Sequence, residues 1–447
     1  MKRNAMLHSG VHLASAAMCF LVAQSVWATT PPPAGFIDAS TYGGGYNTTD
    51  ATAALQAAIN TGQNVFVPKE SADWSVTPIT LSNNNQEILF ESGVAVTAKA
   101  GAFTGTGDCL FNVTGSGVSM VGPGATLKMQ QADYTGSSYT ASESRHAINL
   151  MGVTNCTIDG LNILNTGGDG VIVGAGAGTW YSQGVTIENV TINNAYRNGI
   201  SVISVKNLLV DNCTIVNTAG TLPKDGIDFE PDNSNEVLQN CIVRNSIINA
   251  NSRSGIEFLF GHLTNATSYT MTGSSLEKLT IVGNGSENIG DDTAGIVIDK
   301  YLPGLTIKDL LVGENKLVGI VGPPEGSNPL NVVTNSALWS NLYGPAYYVK
   351  LDGTTQTAIT PTFYSTDINS PYYMYLDPSC DPQITHGASD GSYMGARSVV
   401  PEPAMAGLLL SGVASLLAFV SLTLVGSGPD GRWPRRQGRP IGPMGGR

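Results

Sequence analysis

The stretch "PKDGIDFEPD" concentrates ionisable side chains in a chain that is only 13% charged. Its five charged residues are Lys224, Asp225, Asp228, Glu230 and Asp232. Neighbouring carboxyl groups can take different roles in catalysis, because one can stay protonated while the other is ionised. This stretch is therefore the first candidate for general acid and base chemistry.

A Gly followed by a β-branched residue recurs along the chain, and the charged stretch contains one such pair. The pairs are Gly170-Val171, Gly199-Ile200, Gly226-Ile227, Gly255-Ile256, Gly295-Ile296 and Gly319-Ile320. Successive pairs are 29, 27, 29, 40 and 24 residues apart, and short alternating runs closed by Asn or Gly lie between them. Repeats of this length built from short strands predict a solenoid in which each coil packs on the next. We therefore predict a parallel β-helix.

Asn and Cys recur together in this repeat, at Asn155-Cys156, Asn212-Cys213 and Asn240-Cys241. Small apolar thiols in a recurring local frame predict buried cysteines stacked in the core. We expect the three Asn residues and Asn189 to form one ladder at a corner of the coil.

The open end of such a stack exposes unpaired backbone and apolar side chains, so it needs a cap. Residues 49–62 can supply one, because Thr49-Asp50 can cap a helix that Gly62 ends. The apolar residues on one face of this helix are Ala54, Leu55, Ala58 and Ile59. We therefore expect an N-terminal helix that covers the first coil.

The segment "FIDASTYGGGYNTTDATAALQAAINTGQNVFVP" (residues 36–68) and the repeat that follows, to about Ile320, resemble the pectate-lyase superfamily. The resemblance implies an all-β fold, a right-handed parallel β-helix (solenoid) with an N-terminal capping helix. It also implies polysaccharide chemistry of several kinds, since the superfamily includes hydrolases, lyases, epimerases and phage tailspikes. The ordered catalytic motifs of its polygalacturonase-type members and the arginine motif of pectate lyases do not occur here. No catalytic triad is therefore transferred from them.

Aligning the coils on their Gly residues places the charged residues in two rows. Two residues after each Gly the coils read Ile172, Ser201, Asp228, Glu257, Val297 and Val321, and two residues before it they read Gly168, Arg197, Lys224, Arg253, Thr293 and Leu317. Equivalent residues of parallel strands stack about 4.8 Å apart, and side chains alternate between faces. Asp228 and Glu257 are therefore predicted to lie side by side on the outer face, exposed to solvent. The two rows lie roughly 13 Å apart, too far for ideal direct ion pairs.

This arrangement suits a glycosidase. Carboxyl groups of Asp228 and Glu257 would lie roughly 5 to 5.5 Å apart, as in a retaining enzyme, with one as nucleophile and the other as acid. Pairing Asp228 with a residue across the groove would instead give inversion. The row of bases could hold carboxylates or sulfates of an anionic polysaccharide. We predict a secreted polysaccharide-active enzyme, with glycoside hydrolysis favoured and Asp228 as its central residue.

Two other functions fit the same residues. A polysaccharide lyase would act on uronic-acid glycans by β-elimination, with Arg197, Lys224 or Arg253 as the base. Acids could then hold Ca²⁺, namely Asp225, Asp228, Glu230 and Asp232. A secreted β-helix could also be a non-catalytic adhesin or matrix protein that only binds glycans.

The sequence thus assigns two sets of residues. The catalytic set is Asp228, Glu257, Asp225 and Lys224, and the substrate-binding set is Arg197, Arg253, Glu230, Asp232 and His262. No metal ligand and no cofactor are assigned, apart from Ca²⁺ in the lyase alternative. The chain has 34 acidic against 22 basic residues and a net charge of -12. This excludes nucleic acid as its main partner, because phosphate binding needs clustered Lys and Arg.

Both ends of the chain are expected to be targeting signals. Lys2 and Arg3 precede an apolar run, and Val26-Trp27-Ala28 supplies small residues at a cleavage site, so residues 1–28 are a predicted signal peptide. Near the other end, the motif Val400-Pro401-Glu402-Pro403 precedes the uncharged run Ala404–Val425. This run is long enough to span a membrane, and arginines follow it. This block resembles the PEP-CTERM sorting signal of exopolysaccharide-making Gram-negative bacteria. The resemblance implies a sorting protease as a partner and membrane attachment before processing.

The predicted organisation follows from these signals. Residues 29–398 form the β-helix domain, of which residues 341–398 are a C-terminal cap or irregular region. Residues 399–425 hold the sorting signal and membrane helix, and residues 426–447 form a basic Gly/Pro tail. We expect export across the inner membrane to the cell envelope, cell surface or extracellular matrix.

Overall fold

The computed structural model of the chain describes residues 30–398, apart from residues 262, 264–268, 288–292, 324–328, 358, 364, 372 and 378. The predicted signal peptide, sorting signal, membrane helix and basic tail lie outside the described residues, as does His262. Among the residues that are described, no helix is both long and apolar enough to cross a bilayer.

Each coil of the chain adds one strand to each of three parallel sheets. One coil runs through Thr154–Asp159 in sheet 1, Asn162–Leu164 in sheet 2 and Val171–Gly174 in sheet 3. The next coil begins at Ser182–Glu188, which pairs with Thr154–Asp159 in parallel. The predicted all-β parallel β-helix is therefore confirmed.

The three sheets hold these strands in the described part of the chain. Sheet 1 contains Phe36–Asp38, Asn64–Val67, Glu87–Phe90, Ser119–Val121, Thr154–Asp159, Ser182–Glu188, Val205–Asp211, Leu238–Arg244, Ser274–Glu277, Leu305–Lys308, Val332–Thr334 and Lys350–Leu351. Sheet 2 contains Trp74–Val76, Ala95–Ala98, Thr126–Lys128, Asn162–Leu164, Thr191–Asn193, Thr214–Val216, Ile247–Asn249, Thr280–Val282, Leu311–Gly313 and Ala337–Trp339. Sheet 3 contains Ile79–Leu81, Phe111–Val113, Ile148–Met151, Val171–Gly174, Ile200–Val202, Ile227–Phe229, Ile256–Phe258, Ala294–Ile298, Val318–Val321 and Ala346–Tyr347.

The core fills the inside of the coils with columns of equivalent apolar residues. Sheet 2 contributes Ile163, Ile192, Ile215, Ile248 and Ile281, all fully buried. On sheet 3 the rings of Phe229 and Phe258 stack with centroids 4.7 Å apart. The five cysteines of the described residues are free and buried, as predicted for Cys156, Cys213 and Cys241. The predicted stacking of these three is wrong, because Cys156 lies opposite Val185 and Cys241 lies opposite Leu208.

The Gly of each repeat is required by the close approach of successive coils. A Cβ atom at Gly226 would lie 2.5 Å from the carbonyl oxygen of Gly255 and 2.5 Å from a methyl carbon of Ile248. A larger residue would therefore push the coils apart, which explains why this position repeats along the chain.

The predicted capping helix is helix α1, which spans Thr52–Asn60. Its buried residues are Ala54, Leu55, Ala58 and Ile59, the face expected from the sequence. The Asp50 side chain accepts a hydrogen bond from the Thr52 backbone N–H at 3.0 Å, and Gly62 follows with a φ of 76°. A 3-10 turn at Ala39–Thr41 precedes α1, and helix α2 spans Gln131–Tyr134.

The expected single Asn ladder is wrong, because the four Asn residues belong to two corners. Asn240 donates to Asn207 at 2.9 Å, in the same column as Asn155. Asn212 donates to Asn189 at 2.6 Å in a second column. All five have a positive φ, which Asn tolerates better than most residues. Each long strand of sheet 1 thus carries one bend within it and another at its end.

The coils continue beyond Ile320 to the sheet 1 strand Lys350–Leu351. The chain then folds back over the outer face of sheet 2 and includes helix α3 (Pro382–Thr385). A second apolar cluster joins the two layers and includes Leu311, Trp339, Leu376 and Ile384.

Candidate functional site

Sheet 3 places Asp228 of the charged stretch next to Glu257 of the following coil. Asp228 lies opposite Glu257 on the adjacent parallel strand, and Ser201 lies opposite Asp228 on the other side. Ile227 and Phe229 point into the core, so the carboxyl groups point away from it. The predicted registration of the coils is therefore observed.

The expectation that these acids face solvent is wrong. Asp228 and Glu257 have no exposed surface. Arginine side chains from the row of bases lie along the strands and cover them. Nη1 of Arg253 lies 2.7 Å from Oε2 of Glu257. The row of bases and the row of acids can therefore form direct ion pairs. The backbone positions are too far apart for this, but the long arginine side chain spans the distance between them.

Asp225, Asp228 and Glu257 form a buried triad of acids. Each contributes a carboxylate oxygen to a group in which all three oxygens lie within 4.8 Å of one another. Burial raises the pKa of Asp225 to about 7, and Asp228 adds to this, although Glu257 and Arg253 oppose it. Burial also raises the pKa of Asp228 well above its ordinary value, with further contributions from Glu230 and Glu257. Both shifts favour the protonated forms of Asp225 and Asp228 at pH values where an exposed carboxyl group is ionised.

The triad offers oxygen ligands, but its surroundings do not suit Ca²⁺. Arg253 already places a guanidinium 2.7 Å from Glu257 and 3.6 Å from Asp225. Among the described residues, Glu230 and Asp232 do not join the group of acids close enough to share an ion. The four acids expected to hold Ca²⁺ in the lyase alternative are thus not gathered at one point, and a second cation would meet Arg253.

A second polar column lies directly before the Gly residues and extends the triad across the sheet. Asp169 accepts a hydrogen bond from the Asn198 backbone N–H at 3.0 Å, and Asn198 accepts one from the Asp225 N–H at 3.0 Å. The Asn198 side chain also donates to Oδ2 of Asp228 at 3.0 Å. The sequence alignment of the coils misses Asp169 and Asn198, because it compares only the positions two residues before and after each Gly. Comparing the residues directly before each Gly reveals them.

Asp169 connects this column to His146 and Arg197. Nδ1 of His146 lies 2.9 Å from the Asp169 backbone nitrogen and 3.2 Å from its Oδ2. Nη1 of Arg197 lies 3.5 Å from the same Oδ2. Burial alone would raise the pKa of Asp169, but His146 and Arg197 together lower it. Asp169 is therefore ionised, whereas the pKa values of Asp225 and Asp228 are raised.

An open groove of about 420 Å³, here called the sheet 3 groove, crosses these coils. Its ionisable lining residues are Glu143, His146, Arg197, Glu230, Asp232 and Glu236. Arg197 joins its two walls, because its guanidinium lies 3.1 Å from Glu230 and 3.9 Å from Glu143. Asp228 and Glu257 are not among the lining residues in the described part of the chain. Both side chains are fully buried.

The predicted bases are all paired with acids of the protein. Arg197 contacts Glu230, Arg253 contacts Glu257, and Nζ of Lys224 lies 2.5 Å from Oε2 of Glu287. Burial would lower the pKa of Arg197, but Asp169, Asp228 and Glu230 raise it above its ordinary value. Arg197 therefore keeps its proton and its charge.

Comparison with known families identifies the fold of this chain. The family model described as "Right handed beta helix region" matches residues 117–300 and 175–347, which together make up more than half of the sequence. The chain belongs to this right-handed β-helix family. The predicted handedness of the coil is thereby confirmed. No curated protein sequence matches this right-handed β-helix protein.

Solved structures share the fold at low identity. An endo-xylogalacturonan hydrolase from Aspergillus tubingensis is similar with a TM-score of 0.50 and 12% identity, over 72% of this chain and 94% of that one. A tailspike protein of E. coli bacteriophage HK620 in complex with a pentasaccharide has a TM-score of 0.50 and 12% identity, over 72% of this chain and 66% of that one. A pectate lyase has a TM-score of 0.46 and 13% identity, over 70% of this chain and 88% of that one. This right-handed β-helix protein therefore shares its fold with a glycoside hydrolase and a bacteriophage tailspike.

Proposed function

We propose that this right-handed β-helix protein hydrolyses glycosidic bonds of a polysaccharide bound in the sheet 3 groove. The observation that carries the proposal is a pair of acids in contrasting environments on one strand face. Glu230 lines the groove and pairs with Arg197 at 3.1 Å, whereas Asp228, two residues before it, is fully buried and its pKa is raised well above the ordinary value. Glycosidases need one ionised carboxylate and one carboxylic acid at the same bond.

In this proposal Glu230 is the carboxylate that meets the sugar and Asp228 is the general acid behind it. Oδ1 of Asp228 is buried and has no hydrogen-bond partner among the described residues. A proton there is not committed to another group of the protein. Sugar hydroxyls that bind Arg197 and Glu230 would replace their mutual contact and open the path to Asp228. Glu257, which pairs with Arg253, is a positioning residue.

The charge of the groove favours an uncharged polysaccharide over the anionic one expected from the sequence. Its lining contains four acids, with Arg197 and His146 as the basic residues. Carboxylates or sulfates of a substrate would be repelled there. The names of two similar structures, a xylogalacturonan hydrolase and a tailspike with bound pentasaccharide, support a glycan as the ligand in general.

The lyase alternative has less support from the contacts of the site. β-Elimination needs a base that can lose its proton, and the pKa of Arg197 is raised rather than lowered. Lys224 and Arg253 pair with Glu287 and Glu257 and do not line the groove in the described part of the chain. Uronic-acid substrates would also meet the acidic lining.

The experiment that tests this function is turnover on a panel of glycans. Purified protein is incubated with neutral xylans, galactans and glucans and, in parallel, with pectins and alginates. We expect new reducing ends from a neutral glycan and no unsaturated products. Unsaturated products would instead identify a lyase, and binding without any product would identify an adhesin.

We also propose that the protein is exported and sorted in the cell envelope. The signal-peptide pattern of residues 1–28 and the PEP-CTERM-like block of residues 399–425 support this. Mass spectrometry of protein from the producing cells should find an N-terminus at Thr29 and a C-terminus upstream of the membrane segment. Intact termini on all molecules would contradict it.

A further inference from the structure

A second groove lies on sheet 2, on another side of the coil from the sheet 3 groove. The outer face of sheet 2 changes character along the stack. In the later coils several outward residues are apolar and lie under the C-terminal segment, as Ile247, Leu311 and Trp339 do. In the earlier coils the column that leads to Ile247 is polar. Thr126, Asn162, Thr191 and Thr214 follow one another in register there.

The sheet 2 groove, of about 550 Å³, forms where this polar strip meets the C-terminal segment. The strip forms its floor together with Leu164, Asn193 and Asn212. Its wall consists of residues 368–371 with Tyr373, Tyr375 and Arg397. Hydrogen bonds of two wall residues, Tyr373 and Arg397, fix the wall to the coils. Nδ2 of Asn249 donates to the Tyr373 hydroxyl at 2.5 Å, and the Arg397 guanidinium donates to the side chain of Asn212 and, at 3.3 Å, to the carbonyl of Asn245. The groove is thus formed before any ligand arrives.

The described lining residues of the sheet 2 groove include no acid. Among them, Arg397 is the single side chain that carries a charge, and its guanidinium binds Asn212 and Asn245 of the coils. Burial lowers the pKa of Arg397, although Tyr375, Cys213 and Tyr393 oppose this shift. This groove cannot attract a strongly charged ligand and cannot supply the two carboxyl groups of a glycosidase.

We propose that the sheet 2 groove is a second, non-catalytic site that binds an uncharged oligosaccharide. Hydroxyl and amide groups of Thr126, Asn162 and Thr191 repeat at the coil spacing of about 4.8 Å, which is comparable to the advance per sugar of an extended glycan. Such groups donate to and accept from sugar hydroxyls. A flat apolar ring next to a phenolic hydroxyl suits a sugar ring, and Tyr375 of the wall is only partly buried, whereas Tyr373 is buried.

The proposal does not depend on catalysis in the sheet 3 groove. A glycan held on sheet 2 leaves sheet 3 accessible, since the two sheets are different sides of one coil. In a chain that also hydrolyses polysaccharide, the second site would keep the protein on an insoluble substrate and raise its effective concentration there.

The test is isothermal titration of the purified full chain with xylohexaose and cellohexaose, with an oligogalacturonate of the same length as the charged comparison. The key variant carries Asn162→Ala and Thr191→Ala. Its matched control carries Thr157→Ala and Thr186→Ala, a pair of partly buried threonines in register on sheet 1. We expect roughly tenfold weaker binding of a neutral oligosaccharide by the key variant and unchanged binding by the control.

Two further variants keep the outcome interpretable. Thr191→Trp fills the groove without removing Asn162 and should also weaken binding, in case the double variant folds poorly. Glu230→Gln affects the sheet 3 groove and should leave the binding to sheet 2 in place. Wild-type affinity in both sheet 2 variants, or loss of all binding in Glu230→Gln, would overturn the proposal. Hydrolysis measured separately by reducing ends would show whether the sheet 3 function survives that result.

Discussion

Asp228 and Glu257 lie side by side on neighbouring strands, and both carboxyl groups are covered by the side chains around them. Two ionised carboxylates at this distance in a dry environment would repel strongly. Two features reduce this repulsion: the raised pKa values of Asp228 and Asp225, and the contact of Arg253 with Glu257. The stability of this region, and the catalysis proposed for it, therefore depend on where a few protons reside.

The pH dependence of stability is the first consequence. The folded-state pKa of Asp225 is about 7, above its ordinary value of 3.8, so the folded protein binds an extra proton between these pH values. Binding of this proton by Asp225 stabilises the folded protein at low pH. The stabilisation is lost as the pH rises toward 7, and the free energy of unfolding falls by up to about 1.4 kcal/mol per pH unit. Asp225→Asn, which keeps the side-chain acceptor for the Ser254 N–H, should flatten this fall. Urea denaturation between pH 5 and pH 8 measures the effect. An equal slope in the variant and the wild type would rule out Asp225 as its source.

Arg253 should be one of the costliest charged residues to remove. Arg253→Met leaves Asp225 and Glu257 buried without their cation, and we expect a loss of about 3 kcal/mol in the free energy of unfolding at pH 7. The matched control is Arg244→Met, which removes a 2.7 Å pair with Asp211 from a side chain that is 45% exposed. The control should lose less than about 1 kcal/mol. Similar losses in both variants would contradict the account of the triad.

Activity should depend on Glu230 and Asp228. Glu230→Gln and Asp228→Asn are each expected to lower kcat/KM by roughly 10² to 10⁴, because each removes an acid or a base from the reaction. Glu277→Gln is the control, since Glu277 also pairs with a base, Lys308 at 3.5 Å, but lies on sheet 1. Thermal melting curves should show that all three variants are folded. Full activity in Glu230→Gln would remove Glu230 from the mechanism.

Substrate charge should act through the acidic lining of the sheet 3 groove. We expect neutral oligosaccharides to bind there more tightly than oligogalacturonates of equal length, since four lining residues are acids. Added salt should narrow the difference, because the Debye length is only about 10 Å at 0.1 M ionic strength. Competition assays on the hydrolytic activity at low and high salt measure this. Tighter binding of the charged oligosaccharide at low salt would be the opposite result.

The sequence predicts the fold well because steric requirements repeat with the coil. Gly226 must be Gly to let the next coil approach, and the apolar face of α1 must cover the first coil. The same repeat is sufficient to place Asp228 opposite Glu257. These features depend on backbone geometry, which a repeat in the sequence records directly.

The environment of the site depends on side-chain conformations that a repeat does not record. Backbone spacing alone suggests that Arg253 cannot reach Glu257. The extended Arg253 side chain nevertheless contacts Glu257, which is buried. The column of residues directly before each Gly contains Asp169, but its contacts with His146 and Arg197 are visible only in the structure. The fold-back of residues 359–398 onto sheet 2 likewise depends on non-repeating contacts such as that of Trp339 with Phe363.

The most direct test of the central claim is product analysis in H₂¹⁸O. Hydrolysis of a neutral polysaccharide by the wild type should place one ¹⁸O atom at each new reducing end, seen by mass spectrometry, and the double variant Asp228→Asn, Glu230→Gln should give no such product. Unsaturated products without ¹⁸O, or labelled products from the double variant at the wild-type rate, would contradict hydrolysis by these two acids.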